Sequence, residues 1–188
     1  MFELKYRSIV LRNPCEKDLE DYNNWLTIDI EWQNWDAPWE IREEEDVEQF
    51  LSRIRDAVGK SPDISYRLEI QTDDGQHIGW VSSYLIDDDE TKRAVGIDIP
   101  PACARGKGHG KYALILFMAY LFEKTQADTL YTQTWSGNYP MLALAEYAGF
   151  AETRRIKDLR EVCGKKFDAL TFAISKADFI RLHGDIMK

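Results

Sequence analysis

Residues 105–110 read Arg-Gly-Lys-Gly-His-Gly, and an unbroken apolar run follows from Tyr112 to Phe122. A glycine-rich turn that opens straight into a helix leaves several backbone N–H groups without internal partners, all pointing at one spot. The helix dipole adds partial positive charge there. The stretch is therefore read as a phosphate site built from backbone rather than from side chains. It is not the eight-residue Walker turn, because no Gly-Lys-Ser/Thr ends it. Nor is it a Rossmann fingerprint: Gly106, Gly108 and Gly110 alternate and lie past the chain's midpoint, not early in a βαβ unit. The bland alternative is a strand–helix connector that binds nothing.

Working outward from this turn, the hydrophobic pattern changes period several times. Residues 4–12 read as a first strand ended by Pro14, and residues 16–26 as an amphipathic helix carrying Leu19, Tyr22, Trp25 and Leu26. Residues 29–40 are aromatic and irregular. A second helix is expected over 43–57, with Val47, Phe50, Leu51 and Ile54 on one face. A three-strand meander follows: Ser65–Gln71, the turn Asp73-Asp74-Gly75, the return strand Gln76–Ile86, and residues 92–99. Asp87-Asp88-Asp89-Glu90 marks a solvated hairpin loop, and Pro100-Pro101 stops the third strand. Beyond the apolar helix, Thr129–Trp135 is a strand, Asn138–Tyr147 a helix, and Phe150–Arg155 and Phe167–Ile174 are strands, with a short helix last. The order β-α-α-β-β-β-α-β-α-β-β predicts an α+β (three-layer α/β) fold. Its central sheet is mixed and mostly antiparallel, with helices on both faces.

The bulk numbers fit one soluble domain over 1–188. Of the 188 residues, 44% are hydrophobic and 30% charged. No window reaches the roughly 18 apolar residues of a membrane span, and no signal-peptide block opens the chain. Cys15, Cys103 and Cys163 are odd in number and far apart, which fits a reduced, cytoplasmic protein and gives no zinc spacing. The formal net charge of −9 argues against a general nucleic-acid surface and sits more easily with a cationic partner.

The turn Arg105–Gly110, in the pattern Arg/Gln-x-x-Gly-x-Gly/Ala between strand and helix, resembles the pyrophosphate loop of the GCN5-related N-acetyltransferases (GNAT). Residues 138–150 run Asn-Tyr-Pro-Met-Leu-Ala-Leu-Ala-Glu-Tyr-Ala-Gly-Phe. Asn138, Glu146, Gly149 and Phe150 fall on a pattern similar to that family's ribosomal-protein branch, the RimJ/RimL type. The opening Ser-Ile-Val-Leu-Arg-Asn-Pro-Cys-Glu-Lys-Asp-Leu also resembles that branch. The element order is the family's as well.

The resemblance implies an acetyl-CoA-dependent transferase that acylates a primary amine, without a metal. The alternative is an acyl-CoA-binding regulatory protein with little catalysis. It implies that the N–H groups of Ile97, Asp98 and Ile99, freed by a bulge, hold the pantetheine and the thioester. Arg105, Gly106, Lys107, Gly108, His109, Gly110 and Lys111 would hold the phosphates, with Asn138 on the pantetheine or as a helix N-cap. Asp98 is the first candidate for general base, with Glu69 and Glu40 in reserve. The family's usual acid positions are here Ala145 and Met141, neither able to donate a proton. Acceptor pockets in the family come from the first helices and their loop, which here contribute Trp32, Trp35, Asp36, Trp39 and Glu40. Aromatic faces beside carboxylates suit a cationic amine such as a protein N-terminus, a polyamine or an aminoglycoside. The same aromatic patch is also a candidate homodimer contact.

Overall fold

The computed structural model describes residues 2–40 and 43–186. The chain opens with a hairpin, β1 (Glu3–Tyr6) and β2 (Ile9–Arg12), registered Glu3↔Arg12 through Tyr6↔Ile9. The hydrophobic pattern predicts a single strand over 4–12. Arg7 instead adopts φ +53° and reverses the chain, so β2 is buried throughout while β1 alternates at the sheet edge. Helix α1 (Asp18–Thr27) and helix α2 (Glu44–Ala57) follow, joined by a loop with a 3₁₀ turn at Glu31–Asn34. A reciprocal cap between Glu43 and Asp46 starts α2.

The meander consists of β3 (Arg67–Thr72), β4 (His77–Ile86) and β5 (Asp89–Asp98). Asp87 and Asp88 both take positive φ, +52° and +55°, as a two-residue hairpin turn requires. The solvated loop expected at 87–90 is thus shorter, and β5 starts at Asp89. Helix α3 (His109–Lys124) buries every residue from Ala113 to Phe122. Being apolar all round, it forms the central rod of the main core, and each large side chain on it contributes roughly 1.5–3 kcal/mol by burial. The remaining elements are β6 (Thr129–Trp135), α4 (Tyr139–Ala148), β7 (Ala151–Val162), β8 (Lys165–Ser175) and α5 (Lys176–His183).

The eight strands form one sheet in the order β1-β2-β3-β4-β5-β6-β8-β7. Every described pairing is antiparallel except that of β5 with β6. The two faces carry separate cores. Helices α3, α4 and α5 pack with Leu11, Ile70, Val81, Val95 and Leu130 on one side; α1 and α2 pack Tyr22, Trp25, Leu51 and Ile54 around Trp80 on the other. Among the described residues no helix is long and apolar enough to cross a membrane.

Two details position the site. The parallel pair β5–β6 is registered only at Arg93↔Leu130 and Ala94↔Tyr131, so the strands part beyond Ala94. The registers Arg12↔Glu69, Glu69↔Trp80 and Trp80↔Asp98 also line up as one row across four strands. Side chains in such a row share a face. Arg12, Glu69, Trp80 and Asp98 therefore all point to the α1–α2 side.

Candidate active site

At the start of α3, Gly106 and Gly108 have φ +74° and +87°, and Gly108 is the N-cap. An L side chain is strained at both positions. No backbone hydrogen bond to a described residue is made by the amides of Gly106 through Gly110. The turn thus presents unsatisfied donors at a helix N-terminus, the arrangement that favours phosphate oxygens. Arg105 Nε and His109 Nδ1 are buried there without hydrogen-bond partners. The Arg105 guanidinium itself is engaged: it donates to Glu31 and, at 3.3 Å, to the Pro100 carbonyl. It holds the Glu31 carboxyl below the usual carboxylate range. Arg105 therefore ties the aromatic loop to the glycine turn in this structure. Lys111 lies with its ammonium 4.3 Å from the Tyr147 ring centroid. Lys107 is exposed and does not line the cavity described below.

The gap between β5 and β6 replaces the expected bulge. The β4–β5 register runs without a shift from Trp80↔Asp98 to Leu85↔Arg93. At the apex of the gap, Thr132 Oγ1 donates to the Val95 carbonyl at 3.0 Å, so Val95 presents its backbone to β6. Strand alternation then turns the N–H and C=O of Ile97 into the gap, and those of Asp98 toward β4. A Cβ built on Gly79 of β4 would lie 2.0 Å from the Asp98 carbonyl oxygen, as this orientation requires. Of the three predicted amides, that of Ile97 faces the gap and that of Asp98 does not, while Ile99 lies just past the strand end. Asp98 instead lines the site with its half-buried carboxylate side chain.

A cavity of about 900 Å³ runs from the glycine turn through the gap to the α1–α2 face. It joins Trp32, Trp35, Asp36, Trp39, Ile97, Asp98, Ile99, Arg105, Gly106, Gly108, His109, Gly110, Lys111 and Asn138, residues far apart in the chain. Glu40 is outside it: the turn closed by the Glu40 N–H on the Ala37 carbonyl (2.9 Å) carries it to a small depression of about 180 Å³ on the loop's outer side. Trp32 is largely core, donating to the Trp25 carbonyl at 2.8 Å. Asn138 is both cap and tie. Its Oδ1 accepts from the Met141 N–H (3.0 Å), and its Nδ2 donates to the Trp35 carbonyl (2.7 Å), which also accepts from Trp135 Nε1 (3.0 Å).

Glu69 is fully buried, at 0% exposure, in a separate closed network. It accepts from the Tyr22 hydroxyl at 2.5 Å and from His77 Nε2 at 3.1 Å, and Arg67 Nε faces it at 3.7 Å. His77 Nδ1 meets Asp21 at 2.9 Å, and Arg12 grips both oxygens of Asp18 at 2.7 Å. With a carboxylate at each ring nitrogen, His77 must donate twice, which only the imidazolium does. Burial pulls its pKa down, but Glu69, Asp18 and Asp21 outweigh this and leave it raised. Burial alone would also lift Asp18; Arg12 and His77 hold it below its usual range. The ligand atoms of Asp18, Asp21 and His77 lie within 4.8 Å of one another, but Arg12 already occupies both Asp18 oxygens. The cluster is an ion-pair network rather than a cation cage. Trp80 stands between Glu69 and Asp98 in the row, which takes Glu69 out of the candidate chemistry.

Sequence reasoning missed the rest of the cavity wall. Tyr84 and Gln133 line it, with the Tyr84 hydroxyl donating to Gln133 Oε1 at 3.3 Å. Burial, then the Asp36 carboxylate, raises the Tyr84 phenol above its ordinary range, so it stays protonated at neutral pH. Arg154, Ile156, Leu159 and Arg160 come from β7. No local motif marks them; only the register Gln133↔Thr171 and Arg154↔Thr171 places Arg154 on the cavity face. Met141 and Ala145 are buried against α3, so α4 offers no proton donor from those positions.

Residues 8–151 match the family model described as an acetyltransferase (GNAT) domain. A curated relative, the N-acetyltransferase 9-like protein of Nematostella vectensis, is 31% identical over 106 residues, which are 56% of this chain and 53% of that protein. The chain thus matches about half the length of that relative. Ribosomal-protein-S5-alanine acetyltransferase from Vibrio fischeri superposes with TM-score 0.73 at 16% identity, covering 95% of this chain and 99% of that one. Spermidine N-acetyltransferase from Vibrio cholerae, solved with CoA and spermine, gives TM-score 0.70 at 17% identity, covering 92% and 98%. At such identities these two likenesses speak for the fold.

Proposed function

The chain belongs to the GNAT acetyltransferase family, and on that premise we propose that it transfers an acetyl group from acetyl-CoA to a primary amine. A single observation carries the reading. The amides of Gly106, Gly108, His109 and Gly110, which have no backbone partner among the described residues, and the carboxylates Asp36 and Asp98 line one cavity on either side of the β5–β6 gap. The diphosphate would rest on the glycine turn. The pantetheine would lie along the open edge of β5, its amides meeting the backbone of Ile97. The amine would approach from the α1–α2 face.

In this scheme Asp98 takes a proton from the ammonium, directly or through water, because only the neutral amine attacks. The amine nitrogen bonds to the thioester carbon. The oxyanion that forms needs a backbone donor, a role assigned here to the Ile97 N–H because that residue's backbone faces the gap. The carbon–sulfur bond then breaks and the acetyl group stays on nitrogen, while the second proton that the nitrogen sheds passes through water to the departing thiolate and Asp98 returns its own to solvent. Holding both reactants in one geometry supplies much of the rate, since effective molarity alone is worth roughly 7–11 kcal/mol. Three unpaired cysteines suit the reduced, cytoplasmic setting in which such an enzyme would work.

The test mixes purified protein with acetyl-CoA and a panel of amines and follows free thiol. Amine-dependent thiol release supports the reading. Tight CoA binding without release for any amine would reduce the chain to a CoA binder. No association with CoA at millimolar concentration would overturn the site.

A further inference from the structure

The acceptor end of the cavity is not uniformly acidic. Arg154 and Arg160 line it, and neither forms an ion pair with a described carboxylate. Their neighbour Arg155 shows the contrast: it is clamped by Glu152 (2.6 Å) and Asp168 (2.7 Å) and does not line the cavity. Arg160 lies with its guanidinium carbon 4.5 Å from the Trp39 ring centroid, which orients it against the aromatic loop. Arg154 shares a sheet face with Thr171 and Gln133, and Gln133 is held by the Tyr84 hydroxyl. Both arginines therefore sit on the acceptor side of the gap, away from the glycine turn.

The charge distribution sharpens this placement. Residues 16–57, which build α1, α2 and the aromatic loop, hold fourteen acidic against four basic side chains. Residues 151–167, the β7–β8 hairpin, hold six basic against three acidic in a chain of net charge −9. The acceptor space thus lies between carboxylates on one wall and, on the other, arginines that make no ion pair with a described residue. A polycation would satisfy only the first wall and would bring like charge against the second. A guanidinium that lines a cavity and makes no ion pair to a described carboxylate has its planar fork of donors available to a ligand carboxylate.

We infer that the acceptor is an amine that carries a carboxylate, its ammonium directed to Asp36 and Asp98 and its carboxylate to Arg154 and Arg160. Two sources offer that chemistry: a peptide N-terminus with Asp or Glu in its first few residues, and a free amino acid. This rests on the acetyl-transfer reading and narrows it.

The experiment measures acetyl-CoA-dependent thiol release for three short peptides that differ only in Glu, Gln or Lys after the N-terminal residue, together with free amino acids and spermidine. The Glu peptide should exceed the Lys peptide in kcat/KM by about tenfold or more, the scale of one charge-assisted hydrogen bond. Free amino acids outpacing their amides would show that the carboxylate sits next to the reacting amine; the Glu peptide outpacing both would place it further along. Arg154→Glu with Arg160→Glu should erase or reverse the preference while leaving CoA affinity intact, which reports that the variant is folded. Arg155→Glu, on the other face, should keep the preference. Turnover with equal rates for Glu and Lys peptides, or a preference for spermidine, overturns the inference while leaving acetyl transfer standing. Absence of turnover with every amine instead removes the reading beneath it.

Discussion

Glu69 and Asp98 stand in the same row of the sheet, on the same face, with Trp80 between them, yet they belong to different kinds of site. Around Glu69 each charge has its counter-charge: His77 bridges Glu69 and Asp21, Arg12 holds Asp18, and Arg67 faces Glu69. The cluster is sealed by Tyr22, Trp25 and Trp80. Around Asp98 the wall opens into a cavity that also holds backbone donors and arginines with no hydrogen-bonded or ion-paired partner among the described residues. A buried carboxylate in a polar cluster is thus no guide to chemistry by itself. What separates structure from function here is whether the cluster is closed on itself or has room for a guest.

The largest perturbation of that contrast is on the closed side. Glu69→Ala strips buried His77 of the carboxylate at its Nε2 and part-buried Arg67 of its facing charge, and breaking a buried pair costs about 3–5 kcal/mol. Denaturant unfolding should show this loss, while the folded fraction still binds CoA. A variant of unchanged stability but lost turnover would mean that Glu69 serves the chemistry and the contrast is false.

Next comes the open side. Asp98→Asn should lower turnover roughly 10²- to 10⁴-fold, the range of a general base, with CoA affinity kept. Turnover that survives across pH would remove Asp98 from that role. A smaller effect is expected at the phosphate turn. Gly108→Val puts a branched side chain where φ is +87° and blocks backbone approach. CoA affinity measured by calorimetry should fall about tenfold or more, about 1.4 kcal/mol. Unchanged affinity would put the diphosphate elsewhere.

The gentlest probe is pH, because it needs no substitution. His77 has a raised pKa, so its contribution to stability is full below about 6.5 and is lost as pH rises through its folded value. Asp18 is held low, so its contribution is present at neutral pH and is lost in acid as pH falls through its depressed value. Unfolding free energy should therefore decline on both sides of a mildly acidic window, between the ordinary aspartate value near 3.8 and the ordinary histidine value near 6.5. His77→Gln should flatten the alkaline side and, because His77 helps hold Asp18 low, soften the acid side as well, and CoA binding should not follow the same curve.

Much of this was legible in the chain. The alternating glycines before a run of apolar residues announced the turn, and the positive φ of Gly106 and Gly108 is the conformation such glycines permit. Hydrophobic period placed nearly every helix and strand of the meander. The aromatic loop and the glycine turn were both flagged, and they meet in one cavity. The misreadings share a cause. Residues 4–12 have strand propensity throughout, and only the reversal at Arg7 divides them. Glu69 and Glu40 are acidic residues near aromatic ones, and nothing local says that one is sealed behind Trp80 and the other turned outward. The Asp98 amide turns to β4 rather than to the site, and a strand's sequence does not reveal which neighbour its backbone faces.

Periodicity and turn chemistry determined the element order apart from the opening hairpin, and the glycine turn before α3, because these depend on contacts within a dozen residues. The resemblance of residues 105–110 and 138–150 to known motifs pointed to the family. Only the tertiary structure decided which carboxylates face a cavity, where β5 leaves β6, and that Arg154 and Arg160 join residues more than a hundred positions earlier. Those outcomes follow from sheet register and strand divergence, which are set by packing across the whole molecule and leave no trace in any short stretch of chain.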